Sequence, residues 1–178
     1  AALGVRYVVV VADAATESWE PRADERFDGL QVMRRTNEGT VFRVTADPAP
    51  GVVLVRHGFW PPEGIAGASL RWMSTDGRVE VRGNCNRCVG EIRMTAASFA
   101  QPRMLTVRDD AGKVIARRGI GIAMTKVSIP IRFEHRADLY FDTRPGPQSI
   151  AEATGIPDPR SVSIQVAVPI TFASSPNP

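Results

Sequence analysis

From residue 52 to residue 173, the chain is a succession of short segments in which apolar and polar residues alternate. Val79 and Val81 alternate with charged residues, and Ile92 and Met94 do the same in the next segment. A period of two places one side of a strand in the core and the other in water. Turn signals such as STDG, DDAG and PGP separate the segments. The pattern predicts a mainly β fold, an antiparallel β-sandwich or jelly roll.

The chain is predicted to divide into a small N-terminal segment, residues 1–47, the sandwich, residues 52–173, and a tail, residues 174–178. The N-terminal segment contains a Val-rich strand, a polar loop or short helix, and a hairpin. The proline-rich DPAPG marks the boundary. A short helix is expected at 149–153. The predicted strands of the sandwich are 52–57, 68–74, 78–83, 91–97, 103–109, 113–118, 126–133, 137–142 and 161–172.

The composition, 43% hydrophobic and 23% charged, is that of an ordinary globular protein. No apolar run approaches the roughly 20 residues that span a bilayer. The net charge is +3, and the arginines are scattered, about one per strand, without an aromatic ladder. Nucleic-acid binding is not expected, because phosphate contacts need a clustered basic face. The opening Ala-Ala-Leu-Gly, without Met, suggests a piece of a longer protein.

Cys85 and Cys88 form the motif NCNRC between two predicted strands. A disulfide across the turn would suit an oxidising compartment and is favoured. Free thiols remain an alternative. A zinc site would need two more ligands, and a redox-active pair normally precedes a helix, so both are less favoured.

Catalytic groups are not indicated by the sequence. His57 and His135 are the only histidines, and no GxSxG motif is present. Asp76, Asp109 and Asp110 lie in turn signals, where turn formation explains them better than a glycosidase pair of acids. The residues therefore indicate no catalytic constellation, and no cofactor is expected.

Two acids and two arginines stand near the ends of predicted strands. Glu63 precedes the strand that carries Arg71, and Asp158 and Arg160 precede the last strand. We expect these four residues to form a structural frame of charge-assisted hydrogen bonds, with the pairing left open.

Aromatic side chains are the candidates for stacking on a sugar. Trp60, preceded by a phenylalanine and followed by two prolines, is expected to be exposed in a loop and is the best candidate for ligand contact. Trp72 shares its strand face with Leu70, which favours a core position. Tyr140 is a further candidate, and Trp19 lies in the polar N-terminal loop.

Several of these motifs resemble a known family. LGVRYVVV, the hairpin ending in VFRV, GFWPPEG with RWM, and GIPDPRSVSIQV are together similar to the C-terminal region of bacterial polytopic membrane glycosyltransferases of the GT-C type. In that family, a jelly-roll module resembling carbohydrate-binding modules follows the last transmembrane helix, outside the cytoplasmic membrane.

The resemblance implies a non-catalytic extracytoplasmic domain, either periplasmic or on the cell surface. Its partners would be a cell-envelope glycan and the transmembrane part of its own protein. The extracytoplasmic location would favour the disulfide. Modules of this kind often hold a structural calcium ion, although no convincing oxygen-ligand cluster is evident in this sequence.

Three functions follow as hypotheses. The first is weak glycan binding or acceptor positioning by an aromatic platform or sheet face. The second is a purely structural or protein-interaction domain, which a large exposed apolar patch would favour. The third is a free-standing hydrolase or lyase, which needs facing carboxylates with shifted pKa values in a cleft.

Overall fold

The computed structural model divides the chain into two compact units, 1–49 and 50–178. The division falls in the proline-rich segment that the sequence indicates as a boundary. The structure describes residues 6–11, 30–36, 39–45, 50–65 and 68–175.

The first unit contains a three-stranded antiparallel sheet. Its strands are β1 Tyr7–Val11, β2 Leu30–Thr36 and β3 Gly39–Val44, in the spatial order β1-β3-β2. β2 and β3 pair as the hairpin that the sequence predicts, with an irregular register between Val32 and Arg34. The predicted loop or helix after β1, with Trp19, lies outside the described residues.

The second unit consists mainly of two antiparallel sheets. The five-stranded sheet has the order β10-β9-β12-β7-β4, and the six-stranded sheet the order β11-β8-β15-β6-β5, with β16 also paired to β8. A short β13–β14 pair flanks α1. The elements are β4 Gly51–Val55, β5 Glu63–Ile65, β6 Ala68–Trp72, β7 Gly77–Gly83, β8 Cys88–Ser98, β9 Arg103–Arg108, β10 Val114–Ile120, β11 Thr125–Phe133, β12 Arg136–Arg144, β13 Gln148–Ser149, α1 Ile150–Thr154, β14 Ser161–Val162, β15 Ile164–Val168 and β16 Thr171–Ser174.

The two sheets bury a common hydrophobic core between them. Strands that follow one another in sequence repeatedly change sheet, as from β7 to β8 and from β10 to β11 to β12, which is the connection pattern of a jelly roll. Core side chains come from both sheets, and the prediction of a mainly β, antiparallel sandwich is confirmed. They include Val79, Val81, Leu105, Val107, Leu139 and Phe141 from one sheet and Ile92, Met94, Ile129, Ile131, Ile164 and Val166 from the other.

The prediction of one continuous strand over residues 161–172 is wrong. Ser163 is not part of a strand, and its backbone N–H and hydroxyl both donate to the carbonyl of Met73. Pro169 has no N–H and cannot continue a ladder. The segment therefore divides into β14, β15 and β16, and the last two pair with different halves of β8.

The only helix of the described part of the chain is α1, one residue further along than predicted. Ser149 caps its N-terminus by accepting a hydrogen bond from the N–H of Glu152, and Gly155 ends it in the left-handed conformation. Among the described residues, no helix has the length and apolar character needed to cross a bilayer.

Candidate functional site

The outer face of the six-stranded sheet carries a tryptophan in one row with a glutamine and an alanine. Trp72 on β6 is directly opposite Gln165 on β15, which is opposite Ala97 on β8. Directly opposed residues of antiparallel strands share a face. Ile164 and Val166, the sequence neighbours of Gln165, are buried in the core, so Gln165 and the opposed Trp72 lie on the other face of the sheet.

A second row continues this surface towards a groove. Glu63 on β5 is opposite Leu70 on β6, and Leu70 is opposite Ala167 on β15. Ala167 also lines an open groove of about 490 Å³. Ala97 is only 7% exposed, so the accessible part of this surface between Trp72 and the groove is formed by Leu70, Gln165 and Ala167. The polar residues that line the groove are Arg93, Thr95, Lys126, Ser128 and Thr171.

Trp60 lies next to Trp72, which corrects two expectations. The backbone N–H of Trp60 donates to the backbone carbonyl of Trp72 at 2.8 Å, and both side chains are half-buried. Trp60 is therefore not a fully exposed loop residue. Trp72 is not a core residue either, because the core side of its strand is occupied by Met73. The edge of Phe99 contacts Trp72 at a centroid distance of 5.6 Å.

Arg160 connects the two acids that the sequence associated with it. Its guanidinium binds Asp158 at 2.6 Å and also binds Glu63, and it lies 5.9 Å from the centre of the Trp60 ring. This distance is within cation–π range. The hydrogen bonds from Arg160 hold the pKa of Asp158 below its usual value. The frame thus ties β5, the loop before β14 and the Trp60 ring together.

Arg71 does not join this frame as expected. Its guanidinium donates to the carbonyl of Trp60 at 3.4 Å and so supports the same loop through an uncharged partner. The alternation along β6 places Arg71 on the face opposite Trp72. Glu63 lies on the outward face, opposite Leu70, and pairs instead with Arg160.

Tyr140 lies on the other sheet. On β12 it is directly opposite Arg78 on one side and Arg108 on the other, and 38% of it is exposed. The Arg78 guanidinium lies 5.9 Å from its ring centre. The three aromatic ligand candidates are therefore split between two surfaces and cannot form one platform.

Sequence reasoning did not single out Gln165, Ala167, Thr95 or Lys126. The alternation of β15 and β8 would have identified them as outward-facing, but not as neighbours. Their proximity depends on which strands pair, and in what register.

Cys85 and Cys88 are joined by a disulfide, with a Cα–Cα distance of 5.4 Å. Cys88 begins β8 and is buried against the core, whereas Cys85 is half-buried. The disulfide thus closes the turn between β7 and β8.

In the described part of the chain, every carboxyl group whose pKa is shifted is stabilised in its charged form. The pKa values of Glu80, Glu91, Asp138 and Asp158 are lowered, in each case chiefly by side-chain hydrogen bonds. A general acid for glycoside hydrolysis needs a raised pKa instead.

Acidic residues do line a second groove of about 590 Å³ beside β11 and β12. Asp138 is engaged there by Arg78 and Arg136, and the Asp109 carboxylate accepts the Lys113 N–H of its own turn. No group of three or more His, Cys, Asp or Glu residues suited to a metal ion occurs in the described ranges.

The histidine side chains are both exposed. The carbonyl of His57 accepts the N–H of Arg78, and that of His135 accepts the N–H of Gly83. The backbone carbonyls of both histidines thus bind residues near the two ends of β7.

No family model matches the sequence, and no curated protein sequence matches it. Solved structures similar to the chain are forms of a family 29 carbohydrate-binding module. One has a TM-score of 0.37 at 11% identity, covering 96% of this chain and 90% of that one. A mutant complexed with mannohexaose has a TM-score of 0.39 at 12% identity, covering 72% and 93%. Another, complexed with cellulohexaose, has a TM-score of 0.37 at 12% identity, covering 96% and 93%.

Proposed function

We propose that the second unit is a glycan-binding module, and that the sugar binds on the outer face of the six-stranded sheet. The observation that carries this proposal is the half-buried Trp72 side chain, which shares the outer face with Gln165 and with Ala167, a residue that also lines the 490 Å³ groove. An aromatic wall and convergent polar groups are the usual components of a small-ligand site.

The polar groups around this surface suit sugar hydroxyls. Gln165 supplies both a donor and an acceptor beside Trp72, and Lys126 supplies donors at the groove. Glu63 keeps part of its carboxylate accessible, with 42% of its side chain exposed. Arg160 holds Glu63 in place, so the acceptor is ordered before a ligand arrives.

Binding is expected to be weak, because the groove is open and the aromatic rings are only half-exposed. Titration of soluble neutral cell-wall oligosaccharides should change tryptophan fluorescence and give millimolar dissociation constants by calorimetry. Trp72→Ala should weaken binding roughly tenfold or more, as expected for loss of an aromatic anchor. Ala167→Tyr should have a similar effect by filling the surface.

Tyr140→Ala is the matched control, since it removes an aromatic ring from the other sheet. It should leave neutral-sugar binding unchanged. Absence of any response at millimolar sugar, or equal losses in Tyr140→Ala and Trp72→Ala, would contradict the proposal.

For the setting of this module, we propose the extracytoplasmic side of a membrane glycosyltransferase of the GT-C type, where it would hold an acceptor glycan near the catalytic part. The resemblance of the sequence motifs supports this, and the Cys85–Cys88 disulfide suits an oxidising compartment. The full open reading frame tests it. Flanking sequence without a series of hydrophobic helices would refute the proposal.

A further inference from the structure

The outer face of the five-stranded sheet gathers arginines that are distant in sequence. Arg82 on β7 is opposite Arg136 on β12, and Tyr140 lies between Arg78 and Arg108. Arg56 follows β4, and its backbone N–H donates to the backbone carbonyl of Arg78. The core side of these strands is taken by residues such as Val79 and Leu139. We call this surface the arginine face; it comprises Arg56, Arg78, Arg82, Arg108, Arg117, Arg136 and Arg144.

Two carboxylates lie beneath these cations. Glu80 binds Arg56 at 2.7 Å and also Arg82, with Arg136 at 3.6 Å. Asp138 binds Arg78 at 2.9 Å and Arg136 at 3.0 Å.

The arginines are more exposed than the carboxylates that they bind. The Glu80 side chain is 4% exposed and that of Asp138 is 16% exposed. Among the arginines that bind them, the Arg78 side chain is 30% exposed, that of Arg56 42%, that of Arg82 43% and that of Arg136 50%. An approaching ligand therefore meets guanidinium groups before it meets carboxylates.

The charge of the unit is concentrated on this face. Residues 50–178 contain 16 Lys and Arg against 11 Asp and Glu. The arginine face holds seven arginines against Glu80, Asp138 and Asp142, so it carries most of the excess positive charge. The row from Arg56 to Arg108 crosses four neighbouring strands, a span of about 14 Å at the usual strand spacing.

We propose that the arginine face binds an anionic polysaccharide, one that carries carboxylate, sulfate or phosphate groups along its length. Guanidinium groups are suited to these planar or tetrahedral anions, and several can engage successive charges of one chain. Tyr140 in the middle of the row offers a ring face to a sugar. This surface is separate from the groove proposed for neutral glycans, and neither proposal depends on the other.

The composition of the face favours a glycan over a nucleic acid. Asp142, whose side chain is 39% exposed, provides an acceptor among the arginines, and sugar hydroxyls can donate to it. A phosphodiester backbone offers repeated charge with few donors. Single-stranded nucleic acid also prefers several stacking rings, whereas Tyr140 is the one aromatic residue of this face in the described strands.

The test compares polygalacturonate with its fully methyl-esterified form, using the whole 178-residue chain and calorimetry at several salt concentrations. The acidic polymer should bind more than tenfold more tightly than the neutral one. The logarithm of its affinity should fall linearly with the logarithm of salt concentration. Chondroitin sulfate serves as a second acidic polymer and should bind with the same salt dependence.

The double variant Arg117→Gln with Arg144→Gln should weaken this binding by roughly tenfold, because two exposed cations leave the face. Arg35→Gln with Arg43→Gln changes the charge equally at two exposed positions of the first unit, outside the arginine face, and should change affinity less than about twofold.

Equal losses in the two double variants, or no preference for the acidic polymer, would overturn the proposal. Equally tight binding of single-stranded DNA of the same charge would overturn the assignment to a glycan. Binding of acidic polymer with no response to neutral sugars would support this face while rejecting the groove.

Discussion

Arg103 has nearly all of its side chain inside the protein, with 2% of the residue exposed. Its Nε donates to the carbonyls of Pro145 and Gly146, at 3.1 and 3.2 Å. Its Nη1 donates to Ser98 Oγ at 2.9 Å and to the carbonyls of Phe99 and Gln101. All of these partners are uncharged, and burial lowers the pKa of Arg103. The guanidinium therefore acts as a hub that ties two loops to the start of β9.

Arg103→Met should lower the free energy of unfolding by about 2–4 kcal/mol. The variant keeps the apolar stem but leaves buried carbonyls without donors, which is a costly change. Urea denaturation measures the effect. Arg132→Met, at an exposed position, is the control and should stay within about 0.5 kcal/mol of the wild type. If the two variants have equal stability, the hub role of Arg103 is wrong.

β16 depends on the absence of a side chain at Gly90. β16 pairs with β8 so that Ser174 lies opposite Gly90, and the Phe172 ring packs across the glycine. A Cβ at Gly90 would lie within 3 Å of the Phe172 ring and would also overlap the carbonyl oxygen of Ala173. The backbone carbonyl cannot move aside as a flexible side chain could. This glycine therefore allows β16 to complete the six-stranded sheet.

Gly90→Ala should destabilise the protein by about 1–3 kcal/mol, the usual cost of overpacking. Amide hydrogen exchange should show the loss of protection concentrated in β16. Gly119→Ala is the matched control in β10, because no atom lies within 4 Å of its added Cβ. The interpretation fails if β16 amides keep their protection in Gly90→Ala, or if Gly119→Ala is equally destabilised.

For the whole molecule, the acid–arginine pairs make stability depend on pH. The pKa values of Glu80, Glu91, Asp138 and Asp158 are lowered in the folded state, chiefly by side-chain hydrogen bonds. A lowered pKa means that the unfolded chain binds protons first as pH falls. The resulting stabilisation is complete above the ordinary carboxyl pKa of about 4 and is lost below it.

The free energy of unfolding should therefore decline as pH falls below about 4. Urea denaturation between neutral and acid pH measures the decline. Glu80→Gln removes one of these titrating groups, so its stability should fall less steeply over the same range. A stability that stays constant or rises below pH 4 would contradict this account.

The sequence predicted some of the side-chain contacts at the candidate site but not others. Proximity along the chain and charge associated Asp158 with Arg160, and the structure has that pair. Arg71 was grouped with them for the same reason, yet it binds the carbonyl of Trp60. The sequence shows the charge of Arg71, but the strand face on which it lies also decides its partner.

The arginines illustrate the same limit for the whole molecule. One per strand looks scattered when read along the chain, and on that basis the sequence argued against a clustered basic face. Strand pairing places Arg56, Arg78 and Arg108 in one row, although they are separated by many residues. The clustering is therefore a property of the sheet.

The amino-acid sequence by itself determined that this is an antiparallel β protein and where most of its strands lie, because alternation and turn chemistry act over a few neighbouring residues. Only the tertiary structure decided which outward side chains share a surface. Sheet membership and register come from contacts between distant segments. Trp72 thus meets Gln165, and the arginines of four strands meet on one face, through pairings that no local pattern encodes.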